Sequence, residues 1–153
     1  MEIKIIAVGK IKEKYIEEGI KEYLKRIVPF CKFNIIETKE FNFKEINKNI
    51  HQEGLKILEN ISDNDLVITL EIEGKLLNSL ELSEKIKTHF IYQNRALCFV
   101  IGGSNGLSKE VKARSNLSLS FGKFTYPHQL MRLILCEQIY RSLAIINNIK
   151  YHK

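Results

Sequence analysis

Cysteine is scarce in this 153-residue chain, with three residues at positions 31, 98 and 136. An odd count, wide spacing and mostly apolar surroundings exclude a disulfide framework and a C-x-x-C metal site, and predict buried thiols in a reducing compartment. Proline is scarcer still, with only Pro29 and Pro127 to punctuate the chain. No uncharged apolar run reaches membrane-spanning length, and the apolar start at residues 1–8 is too short for a signal-peptide core, so a cytoplasmic protein with no membrane partner is expected. Motifs are missing too. The G-x-G-x-x-G dinucleotide fingerprint, the P-loop and the serine nucleophile elbow are all absent, and no paired carboxylates stand out. No two of the four histidines sit four apart with a carboxylate, so no metal is expected. Repeats, linkers and low-complexity stretches are lacking as well.

What remains is a hydrophobic content of 44% over a length that suits one domain, residues 1–153. Recognition of a substrate must then come from that domain or from a second copy. The formal net charge of +6 favours an anionic partner, without separating nucleic acid from a phosphorylated small molecule.

Strand and helix patterns alternate. Residues 3–8 read as a β-branched strand, and Ile11, Tyr15, Ile16, Ile20, Tyr23, Leu24 and Ile27 recur at helical spacing until Pro29. Further strands are expected at 32–37, 65–72, 95–101 and 117–121. Helices are expected around 43–61, at 79–90 with Ser79 as N-cap, and at 107–113, with Gly74-Lys75 as a turn. Strands this apolar through their middles predict an α/β fold, a parallel-type sheet flanked by helices on both faces. The segment 38–49, rich in Asn, Lys and Phe, is the one loosely organised region. His51 and His89 fall on helices read as surface elements.

The last helix, opened by Pro127, is apolar nearly all round from 130 to 146. A helix apolar all round must be buried all round, and one sheet can cover only one face. The opposite face is therefore expected to meet a second subunit in a homodimer. Glu137 and Arg141, four apart, can pair.

Three strand ends attract attention. Residues 97–101 break into Gly102-Gly103-Ser104-Asn105-Gly106, residues 117–121 lead into Phe121-Gly122-Lys123-Phe124-Thr125-Tyr126, and Leu70 closes a third apolar strand. Glycine loops at the carboxyl ends of parallel strands are where such folds bind ligands, although a strand-end glycine is as often a plain turn. The chain also stops on Tyr151-His152-Lys153, an aromatic, an imidazole and an ammonium directly after a packed helix. Termini usually fray, so reactive groups held there suggest use.

These loops, with Thr69-Leu70-Glu71-Ile72-Glu73-Gly74-Lys75, Pro127-His128-Gln129-Leu130-Met131-Arg132 and the terminal Tyr151-His152-Lys153, resemble the ribosomal RNA large subunit methyltransferase H family over the whole chain. The resemblance implies a SPOUT fold with a C-terminal trefoil knot, a homodimer, and S-adenosyl-L-methionine as methyl donor. It implies methylation of N3 of a pseudouridine in helix 69 of 23S ribosomal RNA on the assembled ribosome. Cofactor contacts carry over to Leu70, Gly102, Gly103, Gly106, Phe121, Gly122, Lys123, Phe124, Thr125 and Tyr126. Tyr151, His152 and Lys153 become the residues that act on the acceptor, with Lys153 standing where many members carry Arg. Two competing readings are a non-catalytic ribosome-binding protein on the same scaffold and a SPOUT enzyme acting on transfer RNA.

Overall fold

The computed structural model describes residues 1–92 and 95–153. Five strands, β1 (Glu2–Val8), β2 (Lys32–Thr38), β3 (Leu66–Leu76), β4 (Leu97–Ile101) and β5 (Leu117–Ser120), form one sheet in the order β2-β1-β4-β3-β5. Every pairing is parallel, with Ile3 opposite both Phe33 and Leu97, and Ile68 opposite both Phe99 and Leu117. The inner strand β4 is buried at every residue, which is why it reads as a continuous apolar run.

Alternate side chains feed two cores. Ile3, Ile5, Leu97 and Phe99 pack under α1 (Lys14–Ile27), α3 (Ser79–Tyr92) and α5 (His128–Ile146), whereas Ile6, Val8, Cys98 and Val100 pack against α2 (Ile46–Leu58) and α4 (Lys109–Arg114). The sheet is thus covered on both faces, as its composition predicts. Cys31, Cys98 and Cys136 are buried free thiols, and burial pushes them up to about 11, 12 and 12. Among the described residues no helix is long and apolar enough to cross a membrane.

No residue of α5 is exposed. That cover is internal to the chain, since α1 and α3 flank the helix, Leu133 lies against Gly19 of α1, and Leu143 is wholly buried, so the all-round apolar pattern of α5 does not by itself call for a second subunit, contrary to the sequence expectation. Near its start, the Arg132 guanidinium, 1% exposed, donates to Glu37 Oε2 at 3.0 Å and to the carbonyls of Val8 and Gly9 at 3.3 and 3.0 Å. This clamp ties α5 to the carboxyl ends of β1 and β2. Glu137 and Arg141 pair at 2.6 Å.

Four other sequence expectations need correction. Gly74-Lys75 is no turn. Strand β3 continues to Leu76, but its register against β5 slips so that Leu119 faces both Leu70 and Lys75, and the intervening residues loop out. Gly74 permits this because a Cβ there would sit 2.8 Å from the Ser118 backbone. The N-cap of α3 is Asn78, not Ser79. Its Oδ1 accepts from Glu81 N at 2.9 Å while Glu81 Oε2 accepts from Asn78 N at 2.7 Å, a reciprocal capping box. Helix α2 starts at Ile46, leaving Phe43 in an ordered loop. His89 is buried rather than a surface residue, with Nε2 2.8 Å from Arg95 O.

Candidate active site

Because all five strands are parallel, their carboxyl ends share one edge of the sheet. There β3 leads to α3 on one face and β4 to α4 on the other, the switch point at which such folds open a crevice. A cleft of about 730 Å³ occupies this edge. Nine of the ten residues assigned to the cofactor line it: Leu70, Gly102, Gly103, Gly106, Phe121, Gly122, Phe124, Thr125 and Tyr126. The tenth, Lys123, is exposed and outside the lining. The size and the mix of apolar wall with a few polar groups suit a small organic ligand.

The glycines divide into two kinds. Gly106 and Gly122 have φ of +85° and +108°, and a Cβ at either would meet nothing within 4 Å, so their backbones turn left-handed around open cleft space. A Cβ at Gly102 would instead press on the Gly106 backbone and Leu107 at 3.0 Å, and one at Gly103 on Glu53 Oε2 and Val8 at 3.1 Å. Those two serve the closure of their own loop, which Gly106 N completes by donating to Gly103 O at 3.1 Å.

The looped-out stretch of β3 adds charged wall that sequence reasoning missed. Glu71 and Glu73 line the cleft, and the Glu71 carboxylate accepts from Thr69 Oγ1 at 2.7 Å and Ser118 Oγ at 2.9 Å, with Lys112 Nζ 3.7 Å from its other oxygen. Acidic residues at the end of an otherwise apolar strand were the available signal. His128 and Met131 of α5 close the far side. Behind the glycine loop lies a third overlooked acid, Glu53 of α2, 3% exposed. Its Oε1 accepts from Phe41 N at 3.1 Å, and its Oε2 has no partner. Burial, with some help from Glu40, raises its pKa above 4.5.

The chain end folds back onto α5. Asn148, at φ 55°, holds a left-handed cap in which Asn148 N donates to Ile145 O at 3.1 Å and Ile149 N to Ala144 O at 2.8 Å, a Schellman motif. Tyr151 then packs edge-on against Tyr140 at 4.8 Å between ring centroids and donates to Glu137 Oε1 at 3.0 Å, with the Arg141 guanidinium over its ring. Burial, followed by its hydrogen bonds with Tyr23 and Glu137, holds the Tyr151 phenol well above its usual pKa, so it stays protonated. Arg141 Nη1 lies 3.2 Å from His152 Nδ1 and, having no lone pair to offer, donates to it. Lys153 is exposed. The three tail residues are therefore together, but apart from the cleft. The cleft reaches α5 at His128 and Met131 whereas the tail sits at Glu137 to Arg141, six to ten residues further on, or about 9–15 Å along the helix.

A crevice at the carboxyl edge of a two-face-covered parallel sheet, walled by two glycine loops, is the geometry of an α/β protein that holds a small organic ligand at its switch point. The family described as "Predicted SPOUT methyltransferase" matches residues 1–152, and the chain belongs to it. Across the full length of both chains it is 54% identical to "Ribosomal RNA large subunit methyltransferase H" of Finegoldia magna. The protein of that name from Fusobacterium nucleatum subsp. nucleatum is 52% identical, and that from Carboxydothermus hydrogenoformans 49%, again over all of both chains. Among solved structures, a probable methylase family protein from Haemophilus influenzae matches at 14% identity with a TM-score of 0.56, covering 99% of this chain and 70% of that one, which shows a shared fold.

Proposed function

We propose that this protein transfers a methyl group from S-adenosyl-L-methionine to ribosomal RNA of the large subunit. More finely, the acceptor is N3 of a pseudouridine in helix 69 of 23S ribosomal RNA on the assembled ribosome. The observation that carries the reading is the cleft, where Gly106 and Gly122 turn their backbones around open space beside Leu70. The residues present suit the donor. Backbone of the two glycine loops and the apolar side chains of Leu70 and Phe121 would hold its adenosine, while Glu71 and Lys112 offer a charge of each sign to its amino-acid end. When bound, the donor supplies an electrophilic methyl on a sulfonium; the protein supplies position and proton handling.

The acceptor nitrogen carries a weakly acidic proton that must leave. Tyr151, kept protonated, orients and donates hydrogen bonds rather than accepting that proton. His152 is the base of this reading once the Arg141 contact releases its Nδ1 lone pair, and Lys153 neutralises phosphate. Since a tail bound to its own α5 lies about 9–15 Å of helix from the cleft, the reading includes a homodimer in which the tail of a second copy completes the site. Exposed Phe124, Leu76 and Ile72 beside the cleft mouth supply an apolar surface for that contact. The trefoil knot belongs to the same reading, as the family membership implies.

Mass spectrometry of helix 69 fragments from ribosomes incubated with the protein and isotope-labelled donor tests this directly. A labelled methyl on the pseudouridine is the expected result. Transfer to free transfer RNA instead would favour the alternative SPOUT reading, and failure to bind the donor by calorimetry would favour a non-catalytic ribosome-binding protein.

A further inference from the structure

The segment 39–48, loose by its composition, is ordered around two aromatic rings. Phe41 and Phe43 stack at 5.8 Å between centroids and 19° between planes. Lys39 Nζ lies 5.0 Å from the centre of the Phe41 ring and Lys48 Nζ 4.1 Å from that of Phe43. The backbone beneath is pinned from below: buried Asn49 accepts from Phe43 N at 2.6 Å and donates to Phe43 O at 3.0 Å, and buried Glu53 accepts from Phe41 N. Phe43 is nonetheless 43% exposed, and Lys39, Lys44 and Lys48 are exposed around it. Of the two acids in the segment, Glu45 is exposed, while Glu40 turns inward, with Oε2 3.5 Å from where a Cβ of Gly9 would stand. A core has no use for a ring such as Phe43, pinned by its backbone yet left in the open beneath an ammonium group.

We infer that segment 39–48 is an RNA-docking platform, on which an unpaired base stacks against Phe43 while Lys39 and Lys48 pair with the flanking phosphates. Base stacking on an aromatic ring outweighs an exposed cation–π contact, so an incoming base displaces the ammonium and frees it for phosphate. The platform is joined to the cleft through one side chain, because the carboxylate that accepts from Phe41 N also abuts Gly103 of the glycine loop. An RNA bound on Phe43 thus lies on the cleft edge of the sheet. The identity of this RNA as ribosomal rests on the proposed function; the platform itself does not.

Photo-crosslinking of the full-length protein to ribosomes, read by mass spectrometry of the peptide carrying residues 39–48, tests the platform without reference to methyl transfer. A nucleotide attached to that peptide is expected, and a crosslink to ribosomal protein alone, or none, overturns the inference. Phe43→Leu, which keeps apolar bulk and removes the aromatic face, should raise KM for ribosomes about tenfold while donor affinity by calorimetry stays at the wild-type value. A KM within twofold of wild type would refute the stacking. Should that variant misfold, Lys39→Gln with Lys48→Gln touches only exposed side chains, and the salt dependence of ribosome binding should flatten by one to two phosphate contacts' worth, about 0.7–0.9 in log–log slope for each. An unchanged slope counts against the platform. If wild-type protein crosslinks through this peptide yet methylates nothing, the proposed function fails and the platform stands.

Discussion

At the scale of single residues, the two kinds of glycine make opposite demands. Gly106→Ala puts a methyl into open cleft space at a left-handed φ, costing about 1–2 kcal/mol in backbone strain. It should lower donor affinity measured by calorimetry more than it lowers the melting temperature; equal affinity in a folded variant would remove the donor from that loop. Gly102→Val instead drives its side chain onto the Gly106 backbone, so it should disorder the loop and lose stability and ligand together. Glu53 makes a pH claim. Its folded pKa is raised above 4.5 by burial, so the folded state holds the proton that the unfolded state releases, and stability is lost as pH climbs from the unfolded value through the folded one. Glu53→Gln keeps an acceptor for Phe41 N without ionising. As pH rises above 4.5 its melting temperature should gain on that of wild type until the folded-state value is passed and then hold level, and parallel curves for the two proteins throughout would defeat the claim.

Among the elements, the bulge in β3 shapes the cleft most directly. Gly74→Ala would force a Cβ against Ser118 backbone, which cannot yield as a side chain would, and should cost about 1–3 kcal/mol while shifting Glu71 and Glu73 in the cleft wall. Thermal unfolding and donor titration check both halves, and a variant as stable as wild type would show that the slip in register is slack. This bulge also marks where sequence reading stops. The strand middles were legible because β1, β3 and β4 are covered on both faces and therefore apolar throughout, and the glycine loops were legible because a strand that breaks into three glycines has few uses. Gly74-Lys75 read as a turn because charge and glycine carry no register. Asn78 and Ser79 both cap well, so composition could not choose between them. Glu53 looked like any acid on a solvated helix; only the approach of α2 to the glycine loop buries it. The fold-back of Tyr151 depends on one left-handed Asn148, a conformation its residue type permits but does not announce.

For the whole molecule, the separation of tail from cleft is decisive. The contacts that α5 makes with α1 and α3 mean that Leu133→Glu or Leu143→Glu would break this chain's own core, so neither can report on a second subunit. Complementation can. One variant lacking residues 151–153 keeps its cleft, while a Gly106→Val variant keeps its tail and loses its cleft, and each alone should be nearly inactive, since positioned acid–base help is worth about 10²–10⁴-fold. If the site is built in one chain, mixing them restores nothing, because neither chain holds both parts. If the tail acts in trans, each mixed dimer carries one cleft facing an intact tail and one dead site. Random exchange makes half the dimers mixed, so methyl transfer to ribosomes should recover to about a quarter of the wild-type rate per subunit, as a closed two-fold dimer requires. Recovery must also vanish on dilution below the dimer dissociation constant, and a mixture that stays inactive while sedimenting as mixed dimers would return the tail to its own chain.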